Sequence, residues 1–290
     1  MHIVRRSPDQ FGIQKSRWTL ASLLAVVKSW LRLTTLSGLW QLLKRLKITY
    51  KRGRYHVHSP DPNYVEKLRL IRINLLPDRP TSAVIIFEDE FTLYRHPSLA
   101  KAFEVLGKQQ PLAELGYKSN YTWRFVAGLN AFTGQVVYVH GKYADVALLT
   151  KFYQKLVETF LGDLVSVVED NWPVHYHPDL LAALQPQSFP WGMHRPGNWK
   201  TTPRRRIEKL NLPIRLLFLP TYASWANPIE KLWRLLRQDV LHLHRYSDDW
   251  IGLKQTTCSF LDQFNSGSYE LLRYVGLRDP SNLYRSLFSA

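Results

Sequence analysis

Acidic side chains follow two stretches of this chain that have the composition of buried strands. FEDE (87–90) and VEDN (168–171) each close a run of β-branched and other apolar residues. A third acid, Glu230, lies just inside the helix that is predicted to begin within LPTYASWANPIEKLW (219–233). Because strand ends in an α/β sheet face a common rim, these acids are expected to gather at one place.

Three carboxylates at one rim repel one another unless a cation lies between them. Hard oxygen ligands suit Mg²⁺ or Mn²⁺, and two such ions about 3.5–4 Å apart form a clamp for phosphodiester cleavage and transfer. A plainer interpretation is that the acids at the strand ends are simply solvated. Glu230 also falls at the third helical position after Asn227 and Pro228, where it would complete a capping box. The residues alone leave both interpretations of Glu230 open.

Alternating strands and helices from residue 81 onwards predict an α/β sheet with helices packed on its faces. Strands are predicted at 82–90, 121–130, 135–141, 164–171 and 214–220. Helices are predicted at 145–161, at 177–184, after residue 227 and within 247–275.

The positive charge of the chain is concentrated near its N-terminus. The formal net charge is +16, which indicates a polyanionic partner, nucleic acid before a membrane surface. Residues 1–60 hold twelve lysines and arginines against one acid, Asp9, which is a net charge of +11. A DNA-binding domain therefore fits this segment better than a merely solvated basic face.

Two short helices are predicted in this basic segment, at 18–31 and 35–46, with Ser37 as a candidate cap of the second. A tight link joins them, which is typical of a helix-turn-helix. The stretch ITYKRGRYHVHSP (48–60) alternates apolar and basic residues as a small hairpin or wing would. The residues expected to contact DNA are Lys44, Arg45, Lys47, Lys51, Arg52 and Arg54.

One cysteine, Cys258, excludes an internal disulfide framework and a cysteine-based zinc site. No uninterrupted apolar run is long enough to span a bilayer. The arginine pair at 5–6 and the apolar run at 19–27 imitate an export signal, but no small-residue cleavage site follows. We therefore expect a cytoplasmic, nucleoid-associated protein with no membrane partner.

The stretches FEDE, VEDNWPVH and LPTYASWANPIEKLWRLL, in that order, resemble the three acidic motifs of the IS630 family of transposases. That family belongs to the IS630/Tc1/mariner group of DDE recombinases, and the resemblance covers nearly the whole chain. It implies an α/β fold in which an RNase H-like catalytic domain, a mixed sheet flanked by helices, follows a small helix-turn-helix or winged-helix DNA-binding domain.

The resemblance also implies which acids are functional. It assigns Asp89, Asp170 and Glu230 as the catalytic residues and metal ligands, and it leaves the neighbouring acids Glu88, Glu90 and Glu169 outside the triad. His175 stands where the family often has a histidine. It would contact either a group next to the metal ligands or a DNA phosphate. The alternative is a histidine that is only packed in the core or exposed to solvent.

The activity implied by the resemblance is that of a Mg²⁺-dependent DNA transposase, with two ions per site and Mn²⁺ as a substitute. Such an enzyme binds terminal inverted repeats, cuts the DNA ends and joins the 3′-hydroxyl to target DNA at TA, as a homodimer without a small-molecule cofactor. Two alternatives remain: a catalytically silent DNA-binding derivative that represses the element, and a host RNase H-like nuclease.

The expected domains are a DNA-binding domain at 1–60, a linker at 61–80, a catalytic domain at 81–246 and a C-terminal helical region at 247–290. The first of these corresponds to the second of the family's usual two helix-turn-helix units. Asp170 and Glu230 are 60 residues apart, which exceeds the family's usual spacing. The excess is expected at about 185–213, either as a segment that touches DNA or as a solvated basic loop.

Overall fold

The computed structural model divides the chain into two compact units, Met1–Val57 and His58–Ala290. The residues it describes are 3–51, 59–76, 78, 83–184 and 210–285. Most of the expected hairpin at 48–60, with Arg52 and Arg54, therefore lies outside the described residues, as does the greater part of the expected insertion at 185–213.

The first unit contains the two helices that the periodicity predicts, α1 (Leu20–Leu31) and α2 (Leu36–Arg45). The predicted cap Ser37 is wrong, because the backbone at Thr35 has the extended conformation of a cap residue and its hydroxyl accepts a hydrogen bond from Gly38 N. The helices pack through a small apolar cluster centred on the buried Leu23, Val27 and Leu39.

A sharp bend of 81° separates α1 from α2. Arg32, which follows α1, takes a left-handed backbone conformation with φ of 50° and so ends that helix. Among the described residues, no single helix is long and apolar enough to cross a membrane. By length and composition alone, only the bent pair α1 and α2 taken together reaches that threshold.

A five-stranded mixed sheet forms the centre of the second unit, in the order β3-β2-β1-β4-β5. The strands are β1 (Ala83–Tyr94), β2 (Thr122–Asn130), β3 (Val136–Gly141), β4 (Leu164–Glu169) and β5 (Ile214–Phe218). β1 pairs antiparallel with β2 and parallel with β4, and β4 pairs parallel with β5. The register of Phe87 opposite Val168 brings FEDE and VEDN to the same rim of the sheet.

Helices cover both faces of this sheet. They are α3 (Tyr64–Asn74), α4 (Val146–Thr159), α5 (Pro178–Ala182), α6 (Glu230–Leu236), α7 (Trp250–Asp262) and α8 (Tyr269–Val275). Alternate residues of β1 enter different cores, since Phe87 packs with Trp233 of α6, whereas Ile86 packs with Phe152 of α4. The mixed sheet flanked by helices agrees with the expected fold class.

Residues 64–74, within the expected linker, form α3 and contribute to the core of the second unit. Leu68, Ile71 and Leu75 recur at helical spacing and are buried in the same apolar cluster as Phe87. The C-terminal region likewise divides into α7 and α8, with a turn at Gly267 between them.

The turn between β2 and β3 gives a testable prediction of stability. Gly134 has φ of 71°, and a Cβ at this position would collide with the backbone oxygen of Ser268. Gly162 has φ of 82° but open space around it. We expect Gly162→Ala to lower the free energy of unfolding by about 1 kcal/mol, through backbone strain alone. Gly134→Ala should cost a further ~1–3 kcal/mol because of overpacking.

Urea denaturation of both variants and the parent measures this difference. Equal losses of stability in the two variants would show that the contact between the β2–β3 turn and Ser268 is not tight.

Candidate active site

The three acids of the expected triad come from three elements. Asp89 lies on β1, and Asp170 directly follows β4, two residues beyond the last β1–β4 pair. Glu230 begins α6, and Trp233 one turn later donates its indole N–H to Asp89 Oδ2 at 2.9 Å. Since residues three apart lie on one side of a helix, Glu230 faces the same region as Asp89.

The three carboxylates also influence one another electrostatically. Burial raises the pKa of Asp89 well above its usual range, and repulsion by Glu230, Glu90 and Asp170 adds to this effect. Burial also raises the pKa of Glu230, and Asp170 adds to it although nearby arginines oppose the rise. Each of the three acids is therefore affected by the charge of the other two.

Asp170 differs from its neighbours because its ionised form is stabilised. Although burial raises its pKa, the ring of His175, whose Nε2 lies 3.5 Å from Asp170 Oδ1, outweighs that effect and holds the pKa of Asp170 below its usual value. The backbone N–H of Trp172 also donates to Asp170 Oδ1 at 2.7 Å. Asn171 fixes the same loop by donating to Leu219 O at 2.6 Å. The rim thus holds one firmly charged carboxylate beside two that repel each other.

The capping box, one of the two interpretations that the sequence leaves open for Glu230, does not form at the start of α6. The buried Asn227 side chain donates through Nδ2 to the carbonyl of Glu88 at 2.7 Å, and it makes no capping bond to α6. Asn227 instead ties the start of the helix to the backbone of β1 beside Asp89. The carboxylate of Glu230 is therefore not engaged as a cap. The hydrogen bond from Asn227 to the Glu88 carbonyl holds the start of α6 against β1 and so positions Glu230.

A second cluster of titratable groups lies next to the expected triad, and its histidine is fully buried. His175 Nε2 lies 3.4 Å from Glu90 Oε1, 3.5 Å from Asp170 Oδ1 and 3.8 Å from Glu88 Oε2, and its Nδ1 lies 3.2 Å from Glu169 Oε2. Burial alone would lower the pKa of His175, but Glu169 and Glu88 hold it well above its usual value. The complete burial of His175 rules out direct contact with a DNA phosphate and leaves it a neighbour of Asp170.

Sequence reasoning missed Trp233, Asn227 and this second cluster. The twofold alternation of a strand could have shown that Glu88 and Glu90 point to the face opposite Asp89. No local signal in the sequence predicts that Trp233 donates to Asp89 or that His175 approaches four acids, because these contacts join distant segments.

Basic and aromatic side chains lie on the surface of each unit. In the first unit Lys44, Arg45, Lys47 and Lys51 are exposed, and Lys44 Nζ lies 5.3 Å from the centre of the Trp40 ring. In the second unit an open cleft of about 1020 Å³ is bordered by Glu90, Arg124, Lys142, Tyr143, Trp172 and Trp250. This cleft reaches the acidic rim at Glu90 and at Trp172.

The rim residues fit a divalent cation by their chemistry. Asp89, Asp170 and Glu230 offer only carboxylate oxygens, the ligands that Mg²⁺ and Mn²⁺ prefer. Their mutual repulsion is relieved by a positive charge placed between them.

Comparisons with known proteins agree with the motifs and the fold. A family model described as DDE superfamily endonuclease matches residues 84–254. The insertion element IS630 uncharacterized 39 kDa protein of Shigella sonnei is 24% identical over 257 residues, which cover 87% of this chain and 66% of that protein. This chain therefore spans slightly less than two thirds of that relative, whose similarity confirms the resemblance to the IS630 family.

Solved structures share the fold at low identity. The Mos1 mariner paired end complex with Mn has a TM-score of 0.59 and 12% identity, over 93% of this chain and 78% of that chain. The corresponding complex with Mg has a TM-score of 0.58 and 14% identity, over 95% of this chain and 80% of that chain. This likeness confirms the RNase H-like fold. Because the family model matches more than half of its residues, the chain belongs to the DDE superfamily endonuclease family.

Proposed function

We propose that this chain is the transposase of an insertion sequence. It would bind the terminal inverted repeats of its element, cut the DNA at the ends and join the freed 3′-hydroxyl to target DNA at TA. The observation that carries the proposal is the placement of Asp89, Asp170 and Glu230 at one rim of the sheet by the β1–β4 register and by the hydrogen bond from Trp233 to Asp89. Membership of the endonuclease family and similarity to an IS630 protein support it.

In this proposal the three carboxylates hold two Mg²⁺ ions, for which Mn²⁺ can substitute. When bound, such ions activate the attacking hydroxyl and stabilise the departing oxygen of a phosphodiester. The residues of the chain supply the orientation: Trp233 fixes Asp89, and the Trp172 N–H fixes Asp170. The tie from Asn227 to β1 sets the start of α6 and hence the position of Glu230.

DNA would be bound by both units. Residues 1–60 would form a helix-turn-helix domain that contacts DNA through Lys44, Arg45, Lys47 and Lys51, with Arg52 and Arg54 beyond them. The catalytic domain would extend over 81–246, and the cleft beside Glu90 would receive a strand between Arg124 and Lys142. Two copies would act together, each on one element end, in the nucleoid.

The basic residues of α2 give a prediction on DNA affinity. The logarithm of DNA affinity falls linearly with the logarithm of salt concentration, with a slope of roughly −0.9 for each phosphate contact. Replacing Lys44, Arg45 and Lys47 together by alanine should therefore make this slope less negative by about 3. A matched control with the same loss of charge replaces Lys151, Arg273 and Arg278, which are exposed on the second unit. Fluorescence anisotropy with a duplex containing the element end measures both slopes. Equal slopes for the two triple variants would contradict the assignment of α2.

The proposed activity is tested with DNA that flanks the coding sequence. The full chain should cut a labelled duplex of this DNA in Mg²⁺ and join the cut 3′ end to a TA-containing plasmid. Footprinting that shows protection without cleavage, with or without Mg²⁺, would instead favour a repressor. Flanking DNA that lacks inverted repeats bounded by duplicated TA would favour a host nuclease.

A further inference from the structure

The second acidic cluster lies on the face of the sheet opposite Asp89. Glu88 and Glu90 extend from β1 toward the side of α4, and His175 reaches them from the 3₁₀ turn Pro173–Tyr176. One carboxylate oxygen of each glutamate and one ring nitrogen of His175 lie within 4.8 Å of one another. This is the set and spacing of side chains that can surround a single ion.

These groups are buried without hydrogen-bond partners. Glu88 is only 1% exposed, and among the described residues neither of its carboxylate oxygens receives a hydrogen bond. Glu90 Oε1 and His175 Nε2 are also buried, and neither atom has a hydrogen-bond partner among the described residues. A buried carboxylate without a partner is strongly unfavourable, so a cation among these atoms would offset their desolvation.

The other side of His175 is arranged as it is in many metal centres. Its Nδ1 faces Glu169 Oε2 at 3.2 Å, and that oxygen also accepts a hydrogen bond from Tyr153 at 2.6 Å. A carboxylate behind a metal-binding histidine fixes the tautomer that carries hydrogen on the far nitrogen. An ion bound here would displace the Nε2 proton of His175, and Glu169 beside Nδ1 would leave the Nε2 lone pair directed toward Glu88 and Glu90.

We propose that Glu88, Glu90 and His175 bind one divalent first-row transition ion, such as Mn²⁺ or Zn²⁺, at a site separate from the triad. Two carboxylates and one imidazole favour such ions over Mg²⁺, which prefers oxygen ligands alone. The two sites adjoin at Asp170, whose Oδ1 lies 3.5 Å from His175 Nε2. An ion here would hold His175 and, through it, the loop that carries Asp170.

The test uses the full chain with Asp89→Asn and Glu230→Gln combined, so that Asp170 is the only residue of the triad that keeps its carboxylate. Titration with Mn²⁺, followed by loss of the free-ion electron paramagnetic resonance signal, should give one bound ion per chain. Pulsed spectra should show coupling to an imidazole ¹⁴N, which a site made only of carboxylates lacks. His175→Gln in this background should abolish that coupling.

Glu90→Gln in the same background should weaken Mn²⁺ binding by at least about tenfold. This side chain is 18% exposed, so its replacement keeps the test valid if His175→Gln fails to fold. The matched control Glu158→Gln alters an exposed acid of α4 and should leave the affinity unchanged.

Absence of bound Mn²⁺, absence of ¹⁴N coupling, or equal affinities for Glu90→Gln and Glu158→Gln would overturn the proposal and assign the cluster to a proton on His175 alone. The transposase proposal is independent of this result, because it is read by DNA cleavage in the chain with an intact triad.

Discussion

Replacing Asp89 by asparagine is expected to lower the rate of Mg²⁺-dependent DNA cleavage by on the order of 10³-fold. The amide keeps the size of the side chain and an oxygen that can accept from Trp233, but it removes the negative charge at the rim. Single-turnover cleavage of the labelled element end measures the effect. Asp239→Asn, at an exposed acid beyond the end of α6, is the matched control and should cleave as the parent does.

The same substitution should stabilise the metal-free protein. Burial, with repulsion by Glu230, holds the pKa of Asp89 above the usual value of 3.8, so the folded chain binds this proton more tightly than the unfolded chain. Stability therefore falls as the pH rises from about 4 toward the raised pKa. Asp89→Asn removes this contribution, and we expect a higher Tm at pH 7 and a weaker decline with pH.

A gain in Tm together with a loss of cleavage distinguishes a missing ligand from a misfolded chain. An Asp89→Asn variant that melts below the parent at pH 7 without metal would contradict the electrostatic account of the rim.

Replacing Glu230 by glutamine is expected to lower cleavage on a similar scale, on the order of 10³-fold. Because no capping box forms at the start of α6, the carboxylate of Glu230 is not needed to begin this helix. Thermal unfolding of the metal-free variant should therefore show no loss of stability. Glu270→Gln serves as the control, because it changes an exposed acid that also lies in the first turn of a helix, α8.

Reduced stability of Glu230→Gln with cleavage close to that of the parent would reverse this conclusion. It would mean that Glu230 supports the helix start and that another acid supplies the third ligand.

The sheet and the gathering of the acids could be predicted because both depend on local patterns. Buried strands have β-branched runs, and parallel neighbours carry their terminal acids to one rim. The start of α6 shows the limit of such patterns. Asn-Pro-Ile-Glu has the composition of a capped helix, yet the side chain of Asn227 bonds to the Glu88 carbonyl, 139 residues away in the chain. A tertiary contact thus prevailed over a local preference.

The surroundings of His175 illustrate the same limit. The sequence indicates a histidine five residues after Asp170, but only the folded chain shows that it also approaches Glu88, Glu90 and Glu169. Acids that the family resemblance leaves outside the triad therefore form a cluster of their own, and its properties follow from burial and from strand alternation.

The central claim is that Asp89 binds the catalytic metal directly, together with Asp170 and Glu230. Cleavage by Asp89→Cys, measured in Mg²⁺ and in Mn²⁺ with the parent chain alongside, tests it most directly. A thiolate is a poor ligand for Mg²⁺ and a better one for Mn²⁺. We predict loss of cleavage in Mg²⁺ with partial recovery in Mn²⁺, relative to the parent. Equal impairment in both metals, or full activity in Mg²⁺, would contradict direct metal binding by this residue.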